Sequence, residues 1–283
     1  MKLIHLILIS FIFLARGFGE YIPSITTLDA KVNESSGLLM LENQLITHND
    51  SDEEPELYLI DEHIGKVNRT VRITNVKNHD WEDITADEHF IYIGDFGNNL
   101  GSRKNLKVYK ISIDEFNNAK NDSLEAAIIN FNYSDQIEFN PARFNSDFDA
   151  EALISYENHL YIFTKNWETK NTDIYKLSKD PGNYSIEKVD RIETNGLITG
   201  AEYDKSNDRI LLTGNGVPTP FVIEIKDFED DNFSSGIITK HSLEPKLGHS
   251  IQIEGITKKS DGVFYLSSEQ SVTGAPSLFK FEI

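Results

Sequence analysis

The chain has 283 residues, 46 acidic against 27 basic side chains for a formal net charge of −19, and no cysteine. Such an acidic chain is ill suited to nucleic acid or to an anionic membrane surface, since both require clustered Lys and Arg. Neither disulfides nor thiolate metal sites are available, so stability must come from a hydrophobic core.

Residues 1–19 read as a signal peptide. Lys2 precedes the apolar run from Leu3 to Leu14, and the small residues Gly17 and Gly19 follow at a cleavage spacing. The run, roughly a dozen residues, is short for a bilayer span. The expectation is a secreted or periplasmic protein with no membrane span after signal removal. A single domain over residues 20–283 and a monomeric state are expected.

From Tyr21 onward, short runs rich in Ile, Val, Tyr and Phe alternate with Asn, Asp and Gly, the pattern of an all-β domain. They fall into a repeated unit. First strands begin near Ser36-Gly37-Leu38, Glu82-Asp83-Ile84, Glu151-Ala152-Leu153, Thr199-Gly200-Ala201 and Glu254-Gly255-Ile256. Second strands follow at Gln44–His48, Phe90–Gly94, His159–Thr164, Arg209–Thr213 and Val263–Ser267. Third strands carry a recurring Tyr or Phe, as in Leu57-Tyr58, Val108-Tyr109, Ile174-Tyr175 and Leu278-Phe279. Fourth strands fit the first four units only, and Tyr21 to Ala30 has no other assignment. The fold expected is therefore a β-propeller, five blades preferred and six the alternative, with the N-terminal strand completing the last blade. Asp114 to Glu125 reads as an insertion with a short helix, and Gln136 to Asp147 as a loop across one face.

A propeller gathers the starts of its inner strands, and the ends of its second strands, around one axial mouth. The first set here offers Asp80, Glu82, Asp149, Glu151 and Glu254, with Ser36 and Thr199 in the equivalent column; the second offers Asn49, Asp50, Asp95, Asn98, Asn99, Asn166, Asn215 and Glu269. Carboxylates two apart in an extended chain point the same way, and several at one mouth repel unless a cation sits among them. Carboxylate and amide oxygens are the hard ligands that Ca²⁺ takes. The expected metal set is Glu82, Glu151, Glu254, Asp80, Asp149, Asp95, Asn99 and Asn215. The blander reading makes each Glu a latch onto backbone N–H groups of the next blade. His79 and His249 are the candidate general bases. Trp81 and Trp167 would pack between blades or stack on a ligand.

The segments Glu34-Ser35-Ser36-Gly37-Leu38, Thr47-His48-Asn49-Asp50-Ser51, Asp80-Trp81-Glu82-Asp83-Ile84 and Tyr92-Ile93-Gly94-Asp95-Phe96-Gly97-Asn98-Asn99 resemble secreted bacterial propellers related to the SdiA-regulated family. They resemble more distantly the regucalcin/gluconolactonase and paraoxonase propellers. That resemblance implies an extracytoplasmic propeller with Ca²⁺ in the axial channel, with Glu82, Glu151 and Glu254 in the metal-holding role. Ser36 and Thr199 depart from an all-acidic column. Two functions follow: a binding or scaffold propeller braced by Ca²⁺, whose face takes a protein, glycan or small-molecule ligand, or a Ca²⁺-dependent hydrolase of lactones, esters or phosphoesters.

Overall fold

The computed structural model describes residues 20–283 apart from 52, 141, 217–218, 246–250 and 272–273. The expected signal peptide, residues 1–19, and the candidate base His249 lie outside the described residues. Five antiparallel sheets form five blades. Their inner, second, third and outer strands run in chain order. Blade 1 is Ser35–Leu41, Gln44–Asn49, Glu56–Ile60 and Val67–Ile73. Blade 2 is Trp81–Ala86, Phe90–Asp95, Leu106–Ser112 and Ala127–Tyr133. Blade 3 is Ala150–Tyr156, His159–Thr164, Thr172–Ser178 and Lys188–Ile192. Blade 4 is Leu197–Asp204, Arg209–Asn215, Phe221–Lys226 and Ile237–Pro245.

Blade 5 takes three strands from the C-terminal end, Ile253–Ser260, Val263–Ser268 and Ser277–Glu282. Its outer strand is Ser24–Thr27 from the other end of the chain, antiparallel to the third strand. The ring closes as expected.

Blades with both faces covered explain the near-continuous apolar runs, such as Ile91-Tyr92-Ile93, where one solvated face would give alternation. The core is divided into five clusters, one at each blade junction. Leu39, Ile46 and Leu57 of blade 1 meet Ile84, Ile93 and Tyr109 of blade 2. Leu38, Leu45 and Tyr58 on the opposite face of blade 1 meet Tyr265 and Leu278 of blade 5. Burying a large apolar side chain contributes about 1.5–3 kcal/mol, and these clusters take the place of disulfides.

The sequence reading did not anticipate a second seam at the rim. The segment preceding an outer strand leans on the outer strand of the previous blade. Ser123–Leu124 pairs parallel to the outer strand of blade 1, Gly182–Ile186 to that of blade 2, and Glu20–Ile22 to that of blade 4. At blade 3 a 3₁₀ turn, Phe233–Ser235, does this with side chains, Ser234 donating to Asp190 from its hydroxyl at 2.8 Å. These additions pair sheet edges that would otherwise be open to another chain. The insertion in blade 2 holds the short helix expected, Ile113–Asn117, capped by the Ser112 hydroxyl. Among the described residues no helix is long and apolar enough to cross a membrane.

Candidate cation site at the axial mouth

Every inner strand carries a register shift near its start: between Ser35 and Leu38, Trp81 and Asp83, Ala150 and Ala152, Ile198 and Gly200, and Ile253 and Gly255. A bulge adds an unpaired residue and re-aims its side chain. The residues that fall in these shifts include Ser36, Glu82, Glu151, Thr199 and Glu254, the column read from the sequence. Its hydroxyl members act as the latch: Ser36 donates to the Glu82 carbonyl at 2.7 Å, and Thr199 to the Ile253 carbonyl at 2.6 Å. The three glutamates enter a cavity of about 340 Å³, which Asp50, Asn99, Asn215, Gln252 and Glu269 also line.

Asp50, Asp80 and Glu82 place one carboxylate oxygen each within 4.8 Å of one another. At an effective dielectric of about 20, each such pair of charges costs at least about 3.5 kcal/mol, so full ionisation of the triad costs on the order of 10 kcal/mol. That rivals the whole stability of a domain, about 5–15 kcal/mol. Either protons or a cation must neutralise the triad. Burial, followed by the Asp50 charge, pushes Asp80 up to about 7, and burial pushes Asp50 up to about 6. Burial and then Glu151 raise Glu82 well above the carboxylate range.

Glu82 is 3 % exposed, and among the described residues no hydrogen-bond donor reaches its carboxylate. It fits because position 97 is glycine: a Cβ there would lie 2.0 Å from Glu82 Oε1 and 2.5 Å from the Asp80 carboxylate.

Among the described residues, Lys165 and Arg103 are the cations paired with acids at the mouth, and neither forms a close ion pair with all of this triad. Lys165 Nζ pairs with Glu151 Oε1 at 3.0 Å. Burial opposes its charge, but Glu151, Glu254, Asp149 and Glu82 surround it and its pKa rises above the usual lysine value. Arg103 pairs with Asp95 at 2.7 Å and lies 3.7 Å from Asp80. Glu254, pushed up by burial to about 7, has Asn215 Nδ2 at 3.3 Å.

The remaining expected ligands are placed as follows. Asp149 accepts from the Asn98 backbone N–H at 2.6 Å and the Trp167 indole at 2.7 Å, so both oxygens are engaged. Asp95, between Arg103 and the Tyr109 hydroxyl at 2.7 Å, is likewise engaged. His79 is exposed and does not line the cavity, and Trp81 is buried in the core between blades 1 and 2.

The sequence reading missed three features. Lys165, just past the second strand His159–Thr164, was given no role. Asp83, the residue after Glu82, accepts N–H groups from Leu153 at 2.8 Å and Ala201 at 3.2 Å, tying the inner strands of blades 3 and 4 to blade 2 beneath the mouth. Its counterparts Gly37, Ala152, Gly200 and Gly255 are small, which was the available signal. Arg143 and Phe144 reach the cavity from the loop after blade 2, and nothing in a loop sequence marks that.

No family model and no curated protein matches this chain. Among solved structures it is similar to a PQQ-bound aldose sugar dehydrogenase from Streptomyces coelicolor, 12 % identical with a TM-score of 0.47, covering 92 % of this chain and 96 % of that one. A mannose phosphorylase from Leishmania mexicana, in complex with phosphate ion, is 12 % identical with a TM-score of 0.49, covering 93 % and 89 %. A chain of a nidogen/laminin complex is 11 % identical with a TM-score of 0.47, covering 91 % and 83 %. Similarities this low carry no argument about what the chain does.

Proposed function

We propose that this is an exported binding propeller whose axial mouth holds a divalent cation, Ca²⁺ by the chemistry of its ligands, and presents it to a ligand. The observation that carries the reading is the Glu82 carboxylate, buried, without a donor, and gathered with Asp50 and Asp80 into a notch that glycine at 97 leaves open. An all-oxygen donor set suits Ca²⁺ over zinc or copper. Asp50, Asp80 and Glu82 would hold the ion. Glu151 is already matched by Lys165, and Asp149 and Asp95 shape the wall. The likeness to Ca²⁺-dependent propellers noted from sequence supports this reading.

Hydrolysis is the second reading. A bound cation polarises an ester or phosphoryl oxygen, but among the described residues no histidine lines the cavity to act as base. Binding is therefore preferred. The test is thermal melting with Ca²⁺ against EDTA, paired with chromogenic lactone, ester and phosphoester substrates. At a Ca²⁺ concentration of about 100 times Kd, the wild type should gain about 3 kcal/mol, which Glu82→Gln should lose. No shift in the wild type overturns the cation. Turnover that needs Ca²⁺ and Glu82 replaces the binding reading with the hydrolytic one.

A further inference from the structure

One wall of the mouth is aromatic, and the cation site does not use it. Phe144 and Trp167 both line the cavity, their ring centroids 4.4 Å apart. Trp167 is fixed by its indole bond to Asp149 and a backbone bond to the Ser146 carbonyl at 3.0 Å. Phe144 is 47 % exposed. It sits at φ 59, a left-handed conformation unfavourable for a bulky residue, and its N–H bonds to the Asn99 carbonyl at 3.2 Å. An apolar ring left half in water beside a polar cavity is a stacking surface.

The charges around this wall narrow what can stack there. Arg143 lies 4.8 Å from the Phe144 centroid, and Lys165 and Lys170 lie 5.1 Å and 5.4 Å from that of Trp167. A cationic ring would be repelled by three cations at the wall. An anionic one would meet Glu254 and Glu269, which also line the cavity and which neither the ion nor, among the described residues, an ion pair neutralises. A neutral ring bearing many hydroxyls meets neither obstacle. Its C–H face packs on the aromatic pair, its hydroxyls donate to carboxylates and accept from the Asn99 and Gln252 amides, and neighbouring hydroxyls are hard oxygen ligands for Ca²⁺. The cavity of about 340 Å³ is at the small end for ligand sites.

We propose that the mouth binds a neutral carbohydrate, one or two rings deep, stacked on Phe144 and Trp167 with hydroxyls toward the cation. The inference rests on the cation reading above and adds the ligand class.

Trp167 and Trp81 are the two tryptophans, and Trp81 is buried in the core, so a change in emission on ligand addition reports the mouth. The experiment titrates full-length mature protein with methyl pyranosides and disaccharides of glucose, mannose, galactose and N-acetylglucosamine, in Ca²⁺ and in EDTA, with spermidine and glucuronate as charged probes. The expected result is saturable change with at least one neutral sugar, weakened about tenfold or more by Phe144→Ala, while the Ca²⁺ melting shift of that variant is unchanged. A Ca²⁺ shift without response to any neutral sugar overturns the carbohydrate and leaves the cation standing. A response to spermidine or glucuronate alone also overturns it. Sugar binding equal in EDTA, with no Ca²⁺ shift, supports the stacking wall and overturns the cation.

Discussion

Asp80→Asn should become progressively more stabilising, relative to wild type, as pH rises from 5 to 7 in EDTA. Asp80 has a side chain 16 % exposed and is pushed from 3.8 to about 7 by burial and then by Asp50. Between those two values the folded protein holds a proton that the unfolded chain has released, so stability falls with rising pH. The slope is about 1.4 kcal/mol per pH unit near pH 5 and halves by pH 7, where the folded group is half titrated, so the loss over the range is about 2 kcal/mol. For a chain of this size that is about 4–8 °C in melting temperature. Wild type alone would not isolate Asp80, because Asp50 and Glu254, raised by burial to about 6 and about 7, lower stability with rising pH in the same sense. His48, pushed down to about 4 by burial, contributes in the opposite sense, adding stability as pH rises from about 4 to 6.5. Taking the difference between variant and wild type cancels His48. The assay is differential scanning fluorimetry of both proteins across pH 5–7, in EDTA and in excess Ca²⁺. With Ca²⁺ the trend should vanish or reverse, because the ion replaces the proton and Asn is the poorer ligand. A difference that stays flat with pH in EDTA would show that these carboxylates do not crowd one another.

Lys165→Gln strands the Glu151 carboxylate, and breaking a buried pair costs about 3–5 kcal/mol; denaturant melts in EDTA at pH 7 should show this, with Ca²⁺ restoring part of it. Gly97→Ala puts a methyl against Glu82 and Asp80 and should abolish the Ca²⁺ shift at a cost of about 1–3 kcal/mol, far-UV circular dichroism remaining unchanged. Asp149→Leu leaves the Asn98 N–H and Trp167 indole without their acceptor, at about 1–3 kcal/mol each. Its Trp167 emission should change while the Ca²⁺ shift persists; loss of that shift would make Asp149 a ligand after all.

The fold was legible because each blade repeats the same apolar strands, and sheets buried on both faces leave continuous runs that stand out from the Asn- and Asp-rich turns. The residue column Ser36, Glu82, Glu151, Thr199 and Glu254 was legible for the same reason, although the bulge that aims it is a pairing detail that composition does not encode. The N-terminal strand was half legible. Ser24–Thr27 completes blade 5 as expected, but Glu20–Ile22 goes to blade 4, and parallel rim pairing follows from the ring's geometry. The roles of individual acids were least legible. Asp80 and Asp149 hold the same position before their glutamates, yet an indole and a backbone N–H happen to reach Asp149, while Asp80 has only a shared Arg103. That difference comes from loops whose partners are more than ten residues away in sequence.

The most direct measurement is diffraction at the manganese edge from a crystal grown with Mn²⁺ as a stand-in for Ca²⁺. The account predicts an anomalous peak at bonding distance from carboxylate oxygens of Asp50, Asp80 and Glu82, absent in Glu82→Gln. No peak at the mouth, with Lys165 or a proton shared between the acids filling the role, would contradict it.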